Sequence, residues 1–190
     1  LGPKVLTTPG EKAVLFAQMG LDILVLLRFS QEMAQTTAAD FVAMLHERLR
    51  MDELWVGEAF ALGRGREGNV PALRRRGAEQ GFQVRVITPV STWVRELLAQ
   101  GQVDEARRLL GRPYSLAGEV VLGARRGRCL GFPTANLAVR QERAVPPDGV
   151  YAVYVLIGEE RWPAVANVGE RPSFNSGVWA IEVHIIGYDG

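Results

Sequence analysis

Apolar positions along residues 1–110 alternate between helical and strand spacing. Glu11 to Met19 carries a short helical pattern that Gly20 ends. Asp22 to Phe29 contains a continuous apolar run, Ile23 to Leu27, which predicts a buried strand. Thr37 and Asp40 form a capping pattern ahead of an apolar stripe through Phe41, Met44, Leu45 and Leu49. Leu54 to Val56 predicts a second strand, Pro71 opens another helix, and Phe82 to Ile87 alternates as a third strand. Val94, Leu97 and Leu98, then Val103, Ala106, Leu109 and Leu110, trace a helical stripe broken at Gly101. Strand and helix in alternation predict a parallel sheet covered by helices.

From Gly111 onward the pattern changes. Glu119 to Leu122 predicts a short strand. Val150 to Ile157 turns at Gly158-Glu159-Glu160 into Trp162 to Asn167, a hairpin signal, and Trp179 to Ile186 is another strand. Prolines punctuate this half and no long helical period runs through it, so an antiparallel barrel or sandwich is the expected closure. The boundary is placed at Gly111-Arg112-Pro113, giving domains 1–110 and 111–190.

Composition narrows the function classes. The 190 residues carry 22 basic and 21 acidic side chains, a net charge of +1, and neither half departs from balance. That argues against a basic nucleic-acid-binding module, so no nucleic-acid partner is expected. The single cysteine, Cys129, excludes a disulfide framework and a Cys-rich zinc site. His46 and His184 stand far apart without metal-ligand spacing. No apolar run is long enough to span a membrane and no signal peptide opens the chain, so a cytoplasmic protein without a membrane partner is expected.

The densest chemistry lies in Gly123-Ala124-Arg125-Arg126-Gly127-Arg128-Cys129-Leu130-Gly131-Phe132-Pro133-Thr134-Ala135-Asn136. Glycines such as Gly123, Gly127 and Gly131 admit close backbone approach, and successive amides can cradle phosphate oxygens. Arg126 and Arg128 can neutralise a transferring phosphoryl group; a solvated Arg-rich turn is the alternative. Thr134 and Asn136, two residues apart, point the same way in an extended segment and offer oxygen ligands of the kind Mg²⁺ accepts beside a nucleotide. Glu182 sits in the apolar strand Ala180 to Ile186 and shares a face with His184, opposite Ile181, Val183 and Ile185. A carboxylate there can take a proton from a substrate hydroxyl, although an ordinary exposed strand face also accommodates it. His184 reads as a surface or wall residue, not a ligand. Gly63-Arg64-Gly65-Arg66-Glu67-Gly68 fits G-x-G-x-x-G, but the acidic residue a dinucleotide fold wants about 20 positions later is missing.

These blocks resemble a known family. Gly111-Arg112-Pro113-Tyr114, Gly118-Glu119-Val120-Val121, Arg126 to Asn136, Pro147 to Val153, Ala166 to Phe174 and Ile181-Glu182-Val183-His184 follow the order seen in bacterial riboflavin kinases. Those kinases form the C-terminal half of the bifunctional riboflavin kinase/FMN adenylyltransferases (FAD synthetases). The first half resembles the adenylyltransferase module through Leu6-Thr7-Thr8, Gly20-Leu21-Asp22, Val56-Gly57-Glu58, Phe60, and Gly63 with Gly68. The resemblance implies an α/β Rossmann-like nucleotidyltransferase module followed by an all-β Greek-key barrel. It implies transfer of the γ-phosphate of ATP to riboflavin with Mg²⁺ as cofactor, giving FMN. Thr134 and Asn136 match the family's Mg²⁺/ATP pair, Glu182 its catalytic base, and Gly123, Arg126, Gly127, Arg128 and Gly131 its phosphate loop. The small-molecule partners implied are riboflavin, FMN and ATP. A flavin- or nucleotide-binding paralogue without turnover and a dinucleotide-dependent oxidoreductase are the alternative readings.

The departures concern the first half and both ends. The family's N-terminal His-x-Gly-His segment is not in the sequence, Ala59 stands where the family has a polar residue, and Ser91-Thr92-Trp93-Val94-Arg95 replaces Ser-Ser-Thr-Arg-Ile-Arg. Both ends read as cut, the family continuing past Gly190 with a strand and a helix. FMN without FAD is therefore the expected product.

Overall fold

The computed structural model describes residues 3–122, 132–170 and 179–188. Its contacts form two compact units, Ala13–Val90 and a second one joining Leu1–Lys12 to Ser91–Gly190. This division cuts the chain differently from the change of pattern at Gly111, because two helices that precede Gly111 belong with the sheet that follows it.

In the unit Ala13–Val90, β1 (Glu53–Gly57) pairs in parallel with β4 (Gln83–Ile87). They are joined through the two-residue strands β2 (Ala61–Leu62) and β3 (Gly68–Asn69) and helix α4 (Val70–Gln80). Asn69 Oδ1 accepts from the Ala72 amide at 3.1 Å to start α4, Pro71 fits its first turn, and Gly81 closes it at φ 87°. Helix α3 (Ala38–Leu49) starts where predicted. Thr37 Oγ1 accepts from the Asp40 amide at 3.1 Å and donates to the Asp40 carboxylate at 2.7 Å. Val42, Leu73 and Phe82 form the core of this unit.

The glycine spacing at Gly63 to Gly68 has a packing explanation. A Cβ on Gly63 would stand 2.4 Å from the Ala38 amide nitrogen, and one on Gly68 2.7 Å from the Ala38 methyl. Glu67 Oε1 accepts from that amide at 2.8 Å. The loop therefore seats itself on the start of α3, with the Glu67 carboxylate against the helix N-terminus.

Residues 22–29 are not a strand. Helix α1 (Pro9–Gln18) ends as the sequence suggests, but the run after it lies in irregular backbone with Ile23, Leu26 and Phe29 exposed to 76%, 65% and 79%. An apolar run becomes a strand only when a ladder partner takes its amides, and among the described residues no strand pairs with this one. The five-residue helix α2 (Gln31–Gln35) follows.

In the other unit, α5 (Ser91–Ala99) and α6 (Val103–Leu110) form a hairpin about Gly101 at φ 74°. Val94, Leu98 and Ala106 pack with Ala144, and Leu6 and Tyr114 border that core. A five-stranded antiparallel sheet, the barrel-like part of the chain, follows in the order β5-β6-β9-β8-β7. Its strands are β5 (Glu119–Val121), β6 (Ala135–Ala138), β7 (Gly149–Ile157), β8 (Glu160–Glu170) and β9 (Trp179–Ile185). Ala164, Ala166, Val168 and Ile181 are its buried apolar residues, alternate positions of β8 with one of β9.

Arg143 ties residues 4–11 to this unit. Its guanidinium, 3% exposed, donates to both carboxylate oxygens of Glu11 at 2.6 and 3.1 Å and to the Ser115 carbonyl at 2.8 Å. Val5 donates to the Glu142 carbonyl at 2.6 Å and accepts from the Ala144 amide at 3.0 Å. Tyr114 donates to the Ala144 carbonyl at 2.7 Å, and burial raises its pKa against the opposing Arg143 charge.

Two outcomes are expected. Arg143→Met strands Glu11 and the Ser115 carbonyl; urea denaturation should show a loss of about 3 kcal/mol, the low end for a broken buried pair because Glu11 keeps some solvent contact. Tyr114→Phe should cost about 1 kcal/mol at neutral pH. The raised folded-state pKa means the unfolded chain loses the phenol proton first, so the gap between parent and variant should narrow as pH rises above about 10.

Candidate active site

The site is assembled by register. β9 pairs on one edge with β6 and on the other with β8, and Glu182 stands opposite Asn136 on the first and Asn167 on the second. Directly opposed residues of antiparallel strands project to the same face with Cα atoms roughly 5 Å apart. The row Asn136, Glu182, Asn167 therefore crosses the three inner strands on one face. Ile181, Val168 and Ala166 alternate to the other face and are buried. Of the three polar residues Asn136 is the most enclosed, 5% exposed, while Glu182 and Asn167 are half-buried.

Thr134 immediately precedes β6 and is exposed. The stretch leading to it is held from β9. His184 Nδ1 donates to the Pro133 carbonyl at 2.9 Å, and the imidazole meets the Phe132 ring edge-on at 5.5 Å and 79°. Thr134 and Asn136, paired in the sequence reading, and Glu182, singled out apart from them, thus lie on one strand start and two adjoining register positions. Gly123, Arg126, Gly127, Arg128 and Gly131 lie outside the described residues.

The start of β7 is fixed nearby in sequence terms by its own contacts. Trp179 Nε1 donates to the Asp148 carboxylate at 3.0 Å, and Tyr151 donates to the Pro147 carbonyl at 2.7 Å. Burial raises the Tyr151 pKa, with the Asp148 charge adding to it. Gly169, at φ 147°, lets Asp148 approach: a Cβ there would be 3.0 Å from the Asp148 carboxyl carbon.

Asn167 is the site-row residue that composition and spacing did not mark. Its signal is a polar residue between the buried Ala166 and Val168 on an otherwise alternating strand. His46, by contrast, belongs to local packing: its ring bonds the Met51 carbonyl at 3.1 Å and leans on Phe82. Chemically, the row offers two carboxamides and a carboxylate on a rigid sheet, with a hydroxyl at its margin. Hard oxygen donors of this kind suit a magnesium–phosphate group and a hydroxyl to be deprotonated.

Comparison with known proteins gives a consistent picture. The family model for riboflavin kinase matches residues 110–190, and that for FAD synthetase matches residues 2–97. The chain is 39% identical to the bifunctional riboflavin kinase/FMN adenylyltransferase of Escherichia coli K12 over 97% of its own length and 62% of that protein's. The corresponding protein of Pseudomonas fluorescens is 40% identical over 90% of this chain and 58% of its own length. The chain thus spans less than two thirds of the length of these curated relatives. A solved structure described as a macrolide-efflux protein from Streptococcus pneumoniae superposes with a TM-score of 0.81 at 30% identity, covering 97% of this chain and 62% of that one. Among the described residues no helix is long and apolar enough to cross a membrane.

Proposed function

The chain belongs to the riboflavin kinase/FAD synthetase family, and from that premise we propose that its sheet unit phosphorylates riboflavin with ATP to give FMN. The observation that carries this reading is the register of β9, which sets Glu182 directly opposite Asn136. Glu182 takes the proton from the ribityl 5′-hydroxyl as that oxygen bonds to the γ-phosphorus and the bond to the departing ADP breaks. Phosphoryl transfer asks mainly for position and charge neutralisation, so one well-placed carboxylate suffices as the protein's acid–base group. Asn136 and Thr134 offer the oxygens on which Mg²⁺ would rest, and Mg²⁺ commonly keeps only one or two protein ligands beside substrate phosphates. When bound, the ion would neutralise charge on the phosphates. Gly123, Arg126, Gly127, Arg128 and Gly131 are assigned to the phosphates on the family resemblance alone.

The 13–90 unit carries the adenylyltransferase half of the proposal. There the Ala59 carbonyl accepts from Arg66, whose guanidinium stands 3.1 Å away. Trp93, 56% exposed, sits in the first turn of α5, in the other unit. Neither supplies the polar group that the family resemblance calls for at its position. We therefore assign FMN, not FAD, as the product of this chain, and the cytoplasm, where ATP and riboflavin meet, as its place.

Incubating the purified chain with riboflavin, ATP and Mg²⁺ and separating the flavins by chromatography should yield FMN without FAD. FAD in the products would overturn the assignment of the first half, and absence of both flavin nucleotides would overturn the kinase reading. Glu182→Gln should lower the rate by roughly 10²–10⁴-fold, the usual contribution of a general base, while riboflavin fluorescence titration stays within about twofold of the parent. Asn136→Ala should move the Mg²⁺ titration midpoint upward by about tenfold; an unmoved midpoint would remove Asn136 from the ion's ligands.

A further inference from the structure

We propose that His184 is a positioning residue, which clamps the Phe132–Thr134 stretch to β9 and thereby holds Thr134 in step with Glu182. The inference rests on the kinase reading of the site, since it says how one member of that site is aimed.

The β6–β9 ladder stops one residue short of Thr134. Its last pair toward the start of β6 is Ala135 with Val183. The next positions along the two strands are Thr134 and His184, and Pro133 lies one residue beyond. Proline has no amide hydrogen, so the backbone ladder cannot run on through it. Thr134 would then hang from the end of β6 without a cross-strand tie. The His184 imidazole supplies that tie from the side chain, with Nδ1 2.9 Å from the Pro133 carbonyl oxygen. A carbonyl only accepts, so Nδ1 carries the hydrogen, and it donates whether or not the ring is charged. The edge-on packing against Phe132 fixes the same stretch one residue earlier.

The placement matters because His184 is two residues from Glu182 on one strand and projects to the same face. The side chain that holds the Thr134 stretch and the carboxylate assigned as base therefore move as one rigid piece. Thr134 is assigned to the MgATP group, so a loosened Thr134 weakens the hold on MgATP before it disturbs proton transfer at Glu182. Sequence spacing alone does not reveal this role, because the partner is a backbone carbonyl.

Three variants separate the hydrogen bond from bulk. Asn places an amide donor where Nδ1 stands, Gln places it where Nε2 stands, and Phe keeps a ring and has no donor. With FMN formation as the readout, His184→Phe and His184→Gln should each raise KM for MgATP by about tenfold, as expected for one lost orienting hydrogen bond. KM for riboflavin should stay within about twofold and kcat should fall by no more than about threefold, while His184→Asn returns KM for MgATP to within about threefold of the parent. Thermal melts of all four proteins show whether each is folded, and the Asn–Gln comparison stands even if the Phe variant is not. Parental KM in His184→Gln, or His184→Asn no better than His184→Gln, would overturn the clamp while leaving the kinase reading intact. A parent chain that neither makes FMN nor binds MgADP by calorimetry would overturn both.

Discussion

β9 must pair on both edges at once, and the candidate site depends on that double constraint. A strand with two ladders cannot slide on one without breaking the other. A slip by a single residue would also turn Ile181, now buried, to the face of the polar row and drive Glu182 into the packed side. The apolar alternation of Ala164, Ala166 and Val168 on β8 enforces the same answer from the neighbouring strand. Core packing on one face thus specifies the chemistry on the other, and no separate interaction among the polar residues is required to bring them together.

The sequence reveals some of these features and hides others. Helices α3 to α6 follow directly from the Thr37–Asp40 capping pattern, Pro71, the apolar stripe from Val94 to Leu110 and the Gly101 break, because those signals act within a few positions of the chain. The types of the site residues are equally plain: a hydroxyl and carboxamide two apart, and a carboxylate in an apolar strand. Their meeting is not, because β6 and β9 are far apart in sequence and only the register decides which residues oppose each other. The run from Ile23 to Leu27 shows the opposite failure. Its hydrophobicity says it could be buried, but burial needs a partner, and among the described residues no strand pairs with it. The G-x-G-x-x-G spacing is a third kind of case. The glycines are needed for the approach of their loop to Ala38, a packing demand that the spacing alone does not disclose.

Arg143 shows why a boundary read from composition and a boundary read from contacts need not coincide. Its guanidinium joins Glu11 near one end of the sequence to Ser115 and the segment before β7, and the Val5 backbone follows it into place. Such an ion pair returns little net energy once desolvation is counted. Its value lies in direction: the planar fork satisfies two carboxylate oxygens and a carbonyl in one geometry, which an apolar contact would leave undetermined. With α5 and α6 packing on Ala144 alongside, residues that read as parts of the first half are structurally parts of the second unit.

The strand order has a further consequence for how the sheet yields to thermal fluctuation. Among the described residues β5, three exposed residues long, and β7 are the outer strands, and the polar row occupies only β6, β9 and β8. Partial opening starts where hydrogen bonds face solvent on one side, so the margins fray long before the middle gives way. The lowest-energy excursions of this sheet therefore peel away strands that carry none of the row. A protein arranged in this way can breathe at its rim without misaligning the groups at its centre.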